Sequence, residues 1–450
     1  MATPTGIEPR QRSDELLLLV LVAILAAGGY LLTLLSERTE LTGSLTPRLA
    51  AVGLLFLAAH VAVRRYAPGA DATLLPLAAL LDGIGFIFVA RLDEDLAAAQ
   101  TVWTAVGIGA FIVTLIVVKE ARALERYRYT FALIGIVTLL LPTIPGIGRE
   151  VNGARLWVRL GPINFQPGEI AKVVLVIFFA SYLIEKRELL SEMTRRVGRV
   201  PLPEPRHLGP LLAAWGVSLV IMVQEKDLGS SLLFFGVFAV MLYLATGRGA
   251  YVGIAGLMFG VGAALAYRAF SHVATRVTTW LDPWPDASGQ GYQLVQSLYA
   301  FGSGGFAGTG FGLGHPEKIP NAATDFVFAA IGEELGLLGA VAVLIVYLLF
   351  IGSGLRIAAR AERPFLKLLA AGLTTIVGVQ TFIILGGVTR VIPLTGITMP
   401  FISYGGSSLV SNFALLALLL RISAESDVDE TLLGRDAGLA AVAPGVRGAS

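Results

Sequence analysis

The strongest constraint on this chain is a succession of apolar runs, each roughly 17 to 25 residues long, with polar stretches between them. A helix of that length crosses the hydrocarbon core of a bilayer, because each residue adds about 1.5 Å. The first run lacks a small-residue cleavage site, so it is predicted to be a membrane helix and not a signal peptide. We predict an all-α, polytopic integral membrane protein of about twelve transmembrane helices, at residues 15–36, 49–64, 72–90, 99–118, 129–145, 168–185, 209–224, 229–246, 249–269, 325–352, 366–388 and 405–422.

The composition agrees with this prediction and excludes several classes of function. Of the 450 residues, 55% are hydrophobic and 15% charged, whereas soluble proteins carry about a quarter charged residues. The absence of cysteine excludes disulfides, thiolate metal sites and a cysteine nucleophile. A net charge of +2 predicts no nucleic-acid surface. Residues 1–424 are predicted to form one membrane domain, and the acidic, then Gly/Ala-rich residues 425–450 a disordered cytoplasmic tail.

Lysine and arginine are distributed unevenly between the two sets of connections. With the N-terminus inside, the inside connections hold 19 of these residues and the outside connections hold 11. Cytoplasmic loops carry the excess of positive charge, so both termini are predicted to lie on the cytoplasmic side of the membrane. Two outside connections, about residues 146–167 and 271–324, are long and rich in Gly, Pro and aromatics, which predicts two ordered extracytoplasmic loops.

Asp325 is the most informative polar residue, because it closes the second long loop and opens the tenth apolar segment. One interpretation is that Asp325 or Thr324 caps that helix. Another is that the carboxylate is a general base at the membrane surface. Glu333 and Glu334 follow at about 80° and 180° from Asp325 around the helix, so they cannot both face one cavity. At least one is predicted to pair with a cation or to form structural hydrogen bonds.

The first long loop supplies a second group of polar residues. Arg155 and Arg159 flank Trp157, and they are candidates to bind a pyrophosphate or simply to lie at the membrane interface. Glu169 and Lys172 are three residues apart at the start of the sixth segment, which predicts neighbours on one helix face and an ion pair.

The second long loop and the chain before the last helix supply a third group. Arg276 and Arg390 are candidate anion contacts. The glycine-dense residues 302–314 either let backbone amides approach an anion or permit tight turns. No P-loop pattern and no Gly-x-Gly-x-x-Gly after a strand occurs, so nucleotide binding is not predicted.

Several sequence blocks follow one another along the chain: Gln100 with Trp103, and residues 152–157, 166–172, 226–229, 282–283, 289–297, 324–326, 332–336 and 402–408. Taken in order, these blocks resemble the SEDS family of RodA, FtsW and SpoVE proteins. Two extra N-terminal helices before a ten-helix core and the Glu225-Lys226-Asp227 variant are similar to actinobacterial RodA proteins, whereas Thr395 stands where some FtsW proteins carry lysine.

The resemblance implies a peptidoglycan glycosyltransferase in the bacterial cytoplasmic (plasma) membrane. Such an enzyme polymerises lipid II at the outer face of that membrane, releases undecaprenyl pyrophosphate and serves cell elongation and shape. It also implies a class B penicillin-binding protein as partner and a divalent cation, Mg or Mn, near the pyrophosphate. A lipid II flippase, a division-specific FtsW-type polymerase and a non-catalytic scaffold remain alternatives. The implied catalytic residue is Asp325, the substrate-binding residues are Arg155, Trp157, Arg159, Lys172, Arg276, Gln293, Arg390 and Ser403, and the supporting residues are Trp103, Glu169, Glu333 and Glu334.

Overall fold

The computed structural model describes residues 9–35, 45–151, 154–161, 163–192, 195–197, 200–202, 208–225 and 227–442. Nearly all of the regular structure in these ranges is helical. The helices are α1 (Pro9–Leu35), α2 (Leu45–Tyr66), α3 (Leu74–Leu92), α4 (Glu94–Val117), α5 (Arg128–Leu140), α6 (Pro167–Glu185), α7 (Arg187–Ser191), α8 (Gly209–Glu225), α9 (Leu228–Thr246), α10 (Gly249–Ala269), α11 (Ser271–Leu281), α12 (Tyr292–Gly304), α13 (Val327–Arg360), α14 (Pro364–Val388) and α15 (Gly406–Val442).

Each of the twelve apolar segments corresponds to one of these helices. In the described ranges, ten helices are long and apolar enough to cross a membrane. The two others that match an apolar segment are shorter: α5 has 13 residues, followed by a 3₁₀ turn at Leu141–Thr143, and α8 has 17. The all-α membrane class is therefore confirmed, while the number of twelve spans stays a prediction.

Both long connections are ordered. The first forms a three-stranded antiparallel sheet of β1 (Gly148–Val151), β2 (Ala154–Leu160) and β3 (Ile163–Phe165). The second contains the amphipathic α11 and α12. A small hairpin of β4 (Arg195–Val197) and β5 (Val200–Leu202) lies between α7 and α8. These five short strands were not predicted, and they add to the all-α fold without changing its class.

The ends of several helices are fixed by local chemistry. Pro167 begins α6, where the missing N–H of proline costs nothing. Asp93 caps α4 by accepting hydrogen bonds from the amides of Asp95 and Leu96. The helices α8 and α9 pack against each other as a hairpin with a short turn, and Lys226 in that turn lies outside the described residues.

The helices α3, α14 and α15 lie in the interior of the bundle, and α1 lies at its edge. The described backbone of α15 continues to Val442, so the division of the chain at residue 424 and the disorder of the tail stay predictions. The connections that precede α6, α9, α13 and α15 meet at one end of the bundle. Gln166 bonds to Ser407, Tyr404 bonds to Ala323, and Gly229 packs on Ile397. We call this the Asp325 end, and the other the opposite end.

Candidate active site

Asp325 lies two residues before α13 and is half-buried. Its amide donates to the carbonyl of Asn321 at 3.1 Å, in a turn where Asn321 has a φ of 58°. The helix begins at Val327, and its cap position is Phe326, which makes no side-chain cap bond. The interpretation of Asp325 or Thr324 as a helix cap is therefore wrong, because the turn ends before the helical amides begin.

Arg276 approaches Asp325 from α11. Its Nη1 donates to the carbonyl of Leu394 at 2.9 Å, which holds the guanidinium beside the chain that follows α14. Gly396 lies between the two charged groups: a β-carbon there would be 3.7 Å from Asp325 Oδ2 and 3.9 Å from both terminal nitrogens of Arg276. The structure thus brings together two predicted site residues that are far apart in sequence.

A second carboxylate, Asp227, lies close to this pair. It is 6% exposed and caps α9, accepting hydrogen bonds from the amide of Ser230 at 2.9 Å and from its hydroxyl at 2.5 Å. The next turn packs tightly on the chain before α15, since a β-carbon on Gly229 would lie 2.3 Å from Ile397. In the sequence, Asp227 appeared only in the Glu225-Lys226-Asp227 segment and in one block of the family resemblance. The signal that could have marked it as a site residue was a polar turn at the same end as Asp325.

These surroundings change the proton affinity of both carboxyl groups. Burial raises the pKa of Asp325 to about 6; the Thr324 hydroxyl and the Arg276 charge oppose that rise, and the Asp227 charge adds to it. Burial also raises the pKa of Asp227, against the hydrogen bonds from Ser230. Asp325 is therefore a carboxylate near neutral pH that can readily accept a proton.

The chain from residue 399 to 406 supports the Asp325 turn from behind. Ser403 is 2% exposed, accepts from the amide of Met399 at 2.9 Å and donates to the carbonyl of Thr324. The amide of Tyr404 donates to the carbonyl of Ala323 at 2.8 Å. Ser403 is thus placed to position the turn through its backbone, and its burial gives no support to the predicted contact with substrate.

Trp103 completes this support from α4. Its indole packs directly on Gly406 at the start of α15, where any β-carbon would overlap the ring, and it forms a hydrogen bond with the Tyr404 side chain. The predicted supporting residue therefore acts on the same chain segment as Ser403.

The predicted ion pair between Glu169 and Lys172 is confirmed, with Nζ 2.5 Å from the carboxylate. Lys172 is 3% exposed and also donates to Gln380 on α14 at 2.9 Å. Gln380 in turn donates to the carbonyl of Thr398 at 2.8 Å, and Glu169 accepts from Ser411 on α15 at 3.1 Å. This buried network ties three helices together behind the site, and the assignment of Lys172 to substrate gains no support from it.

Glu333 and Glu334 are both buried in α13 and both structural. Glu334 pairs with Arg91 at 3.1 Å and accepts from the amide of Gly312 at 2.9 Å. Glu333 accepts from the amide of His315 at 3.0 Å. The prediction that at least one pairs with a cation or forms structural hydrogen bonds is confirmed. The amide of Gly312 in the glycine-dense loop and that of His315 just after it therefore approach an anion, but the anions are these two glutamates of the same chain.

Three other predicted substrate ligands lie together on the first loop. Arg155, Trp157 and Arg159 alternate along β2 and so share one face of the sheet. Both arginines are exposed; Arg155 lies 3.3 Å from Glu150, and Arg159 donates to the carbonyl of Gly161 at 3.0 Å. The sheet leads into α6. The amide of Gln166, the residue before α6, donates to the hydroxyl of Ser407 at 2.8 Å. This basic face is thus connected to the segment behind Asp325 but makes no described contact with Asp325.

Arg390 and Gln293 are placed differently. Arg390, with a φ of 62°, donates Nε to the carbonyl of Trp280 at 2.7 Å and Nη2 to that of Leu281. It therefore caps the C-terminus of α11, the helix that carries Arg276. Gln293 is half-buried on α12, and no described contact joins it to Asp325.

In the part of the chain that the structure describes, no group of three or more His, Cys, Asp and Glu side chains could hold a metal ion. Mg²⁺, however, is commonly bound through one or two carboxylates together with substrate phosphates. Asp325 and Asp227 match that smaller donor set, with the Arg276 charge beside them.

Comparisons with known proteins agree with this arrangement. The family model of the FtsW, RodA and SpoVE proteins, described as "Cell cycle protein", matches residues 74–428. The chain belongs to this family. The matched region begins at the first residue of α3, so α1 and α2 precede it.

Similar family members cover nearly the whole chain. "Peptidoglycan glycosyltransferase RodA" of Mycobacterium tuberculosis is 46% identical over 92% of this chain and 91% of its own length. The Mycobacterium leprae protein of that name is 44% identical over 94% and 92%. "Stage V sporulation protein E" of Bacillus subtilis is 34% identical over 78% and 96%.

Solved structures of the family share the fold. One chain of a structure described as "Structural coordination of polymerization and crosslinking by a peptidoglycan synthase complex" has a TM-score of 0.65 and 26% identity, covering 79% of this chain and 98% of that one. The rod shape determining protein RodA of Thermus thermophilus has a TM-score of 0.55 and 27% identity over 79% and 96%.

Proposed function

We propose that this protein is a peptidoglycan glycosyltransferase that polymerises lipid II into glycan strands, releases undecaprenyl pyrophosphate and serves cell elongation and shape. The mycobacterial relatives named for this activity match it over nearly their whole length. The observation that carries the mechanism is Asp325, whose pKa burial raises to about 6 and which faces Arg276 across Gly396.

In this mechanism Asp325 acts as the general base. Its carboxylate takes the proton from the attacking sugar hydroxyl while the hydroxyl oxygen bonds to the anomeric carbon of the lipid-linked chain. The bond from that carbon to the pyrophosphate oxygen breaks, and the electron pair leaves with undecaprenyl pyrophosphate. Arg276 lies close enough to offset negative charge that develops beside Asp325.

A divalent cation, Mg or Mn, belongs to the proposal as well. Asp325 and Asp227 are the residues that would hold it. Such an ion neutralises charge on the departing pyrophosphate.

The surroundings of the site suggest the remaining partners. The basic face of β2, with Arg155, Trp157 and Arg159, suits a phosphate or sugar of lipid II. The likeness to a peptidoglycan synthase complex supports a class B penicillin-binding protein as partner. The excess of Lys and Arg in the other connections supports an Asp325 end that faces outward, with both termini in the cytoplasm.

Two alternative functions, a lipid II flippase and a division-specific polymerase, fit the protein less well. A lipid II flippase needs a polar path through the bundle, but Asp82 and Asn412, the candidates for it, are fully buried. A division-specific polymerase fits less well, because the relatives named FtsW are about a third identical whereas those named RodA reach 46%.

The proposal is tested with purified protein and its penicillin-binding partner in proteoliposomes that contain labelled lipid II. We expect long glycan strands. The contrary result is movement of lipid II between leaflets without strand formation, from a folded protein and an active partner. It would contradict the polymerase and support the flippase.

A further inference from the structure

A polar cavity of about 280 Å³ lies at the opposite end of the bundle, where three connections meet the end of the membrane span of α15. It is lined by Lys119, Glu120, Arg122, Arg363, Arg421 and Glu425, together with the turn after α2. Along α15, Arg421 lies about 25 Å from the segment that supports Asp325. The cavity is therefore separate from the proposed active site.

The charges around this cavity are predominantly positive, with four cationic and two acidic side chains. Both carboxylates have partners within the protein. Glu120 pairs with Arg122 at 2.8 Å, and Glu425 accepts from the amides of Ala121 and Arg122. Lys119 and Arg363 are exposed at the rim, so the cavity presents excess positive charge to an incoming group.

Arg421 forms the interior wall. It is 8% exposed, and its Nη1 and Nη2 each donate at 2.5 Å, to the carbonyls of Tyr66 and Leu115 near the ends of α2 and α4. Its Nε is buried and has no hydrogen-bond partner among the described residues. A buried cation with an unpaired donor is unusual in a native fold, and its positive charge in the wall favours an anion in the adjoining cavity.

The position of the cavity indicates where that ligand comes from. Lys119 follows the end of α4, and Arg421 lies near the end of the membrane span of α15. The ends of membrane spans lie near the lipid headgroups, and basic pockets between helices at that depth suit phosphate headgroups. A volume of about 280 Å³ admits a phosphate with several waters, each of about 30 Å³.

We propose that this cavity binds a phosphate group, with Lys119 and Arg363 at its rim and the charged side chain of Arg421 in its interior wall. The shared chemistry is that of an anionic phosphodiester or phosphate. An anionic phospholipid of the adjacent leaflet and a soluble phosphate are its two sources. Nothing in this site depends on the proposed glycosyltransferase activity.

The test uses the full-length protein in detergent. Native mass spectrometry counts bound phosphatidylglycerol against phosphatidylcholine, and calorimetry titrates inorganic phosphate. The variant combines Lys119→Gln with Arg363→Gln, both exposed, and the control combines Arg126→Gln with Arg356→Gln, two exposed arginines that do not line the cavity. We expect the first pair to weaken binding about tenfold or more, and the control to leave it unchanged.

The two arms separate the sources. Phosphatidylglycerol binding that inorganic phosphate does not displace identifies a headgroup site, whereas binding of inorganic phosphate alone identifies a soluble ligand. Glu120→Gln should strengthen the binding of either ligand, because it removes a carboxylate that competes for the cationic side chains. Equal binding by wild type and the Lys119/Arg363 variant, or equal binding of the zwitterionic and anionic lipids, would overturn the proposal.

Discussion

At the scale of single residues, two neighbouring aspartates are given different roles by their surroundings. Asp227 is engaged by its own helix through Ser230. Asp325 stands in a turn that ends before α13 begins, so no helical amide is capped by it. Its carboxylate is half-buried beside Arg276, which leaves it suited to proton transfer.

The pH dependence of polymerisation follows from this arrangement. Because the pKa of Asp325 is raised to about 6, its basic form is lost as the pH falls through that value. We expect kcat/KM to fall about tenfold per unit below pH 6, in rate measurements on labelled lipid II.

A variant separates this effect from general acid inactivation. Asp227→Asn keeps a good helix cap but removes a negative charge that raises the pKa of Asp325. The midpoint of the pH profile should therefore move to lower pH. Both profiles are measured at saturating Mg²⁺, because Asp227 is also a proposed cation ligand. A midpoint that stays fixed, or rises, would then show that Asp325 is not the group observed.

Several residue roles could not be read from spacing. Arg276 and Asp325 come together through the fold, and the sequence offered them only as separate motifs. Ser403 and Arg390 are polar residues in the expected region, yet their hydrogen bonds go to the backbone. Spacing did succeed where partners are local, as in the pair of Glu169 and Lys172.

At the scale of elements, α13 contains a break that hydropathy cannot reveal. Gly336 has a φ of 64° and a ψ of −164° inside an otherwise continuous apolar helix. The amides of Leu337 and Leu338 donate to the carbonyls of Gly305 and Phe306, so the glycine-dense loop replaces lost helical bonds. The apolar pattern predicted the helix. It could not reveal the break, because the carbonyls that accept these hydrogen bonds belong to a distant loop.

The break yields a stability prediction. The backbone at Gly336 has a positive φ, which an alanine there would have to keep. The added β-carbon would also lie 2.3 Å from the amide nitrogen of Gly308. Gly336→Ala should lower the free energy of unfolding by at least about 2 kcal/mol, measured by thermal unfolding in detergent. Gly352→Ala is the matched control in the same helix, since nothing lies within 4 Å of its added carbon. Equal melting temperatures would contradict a tightly packed break.

At the scale of the whole molecule, the sequence predicted the membrane class because apolar length is a property of the chain alone. The helices α11 and α12 and the sheet of β1 to β3 were missed as elements, since short amphipathic pieces in a loop depend on the bundle that they cover. The small sheet matters to function, as it presents Arg155, Trp157 and Arg159 on one face.

Orientation is testable at this scale because the chain has no cysteine. Ser288→Cys places a thiol at the exposed Asp325 end, and Glu362→Cys places one at the exposed opposite end. In intact cells, a membrane-impermeant maleimide should label the first variant and not the second. The reverse pattern would contradict an outward-facing active site.

The most direct test of the account compares glycan polymerisation by wild type, Asp325→Asn and Asp95→Asn, each with the penicillin-binding partner. Asp95 is an exposed carboxylate at the start of α4, so it controls for the loss of one charge at the Asp325 end. We predict strands from wild type and Asp95→Asn and none from a folded Asp325→Asn, because only that change removes the base. Full strand synthesis by Asp325→Asn would contradict the account.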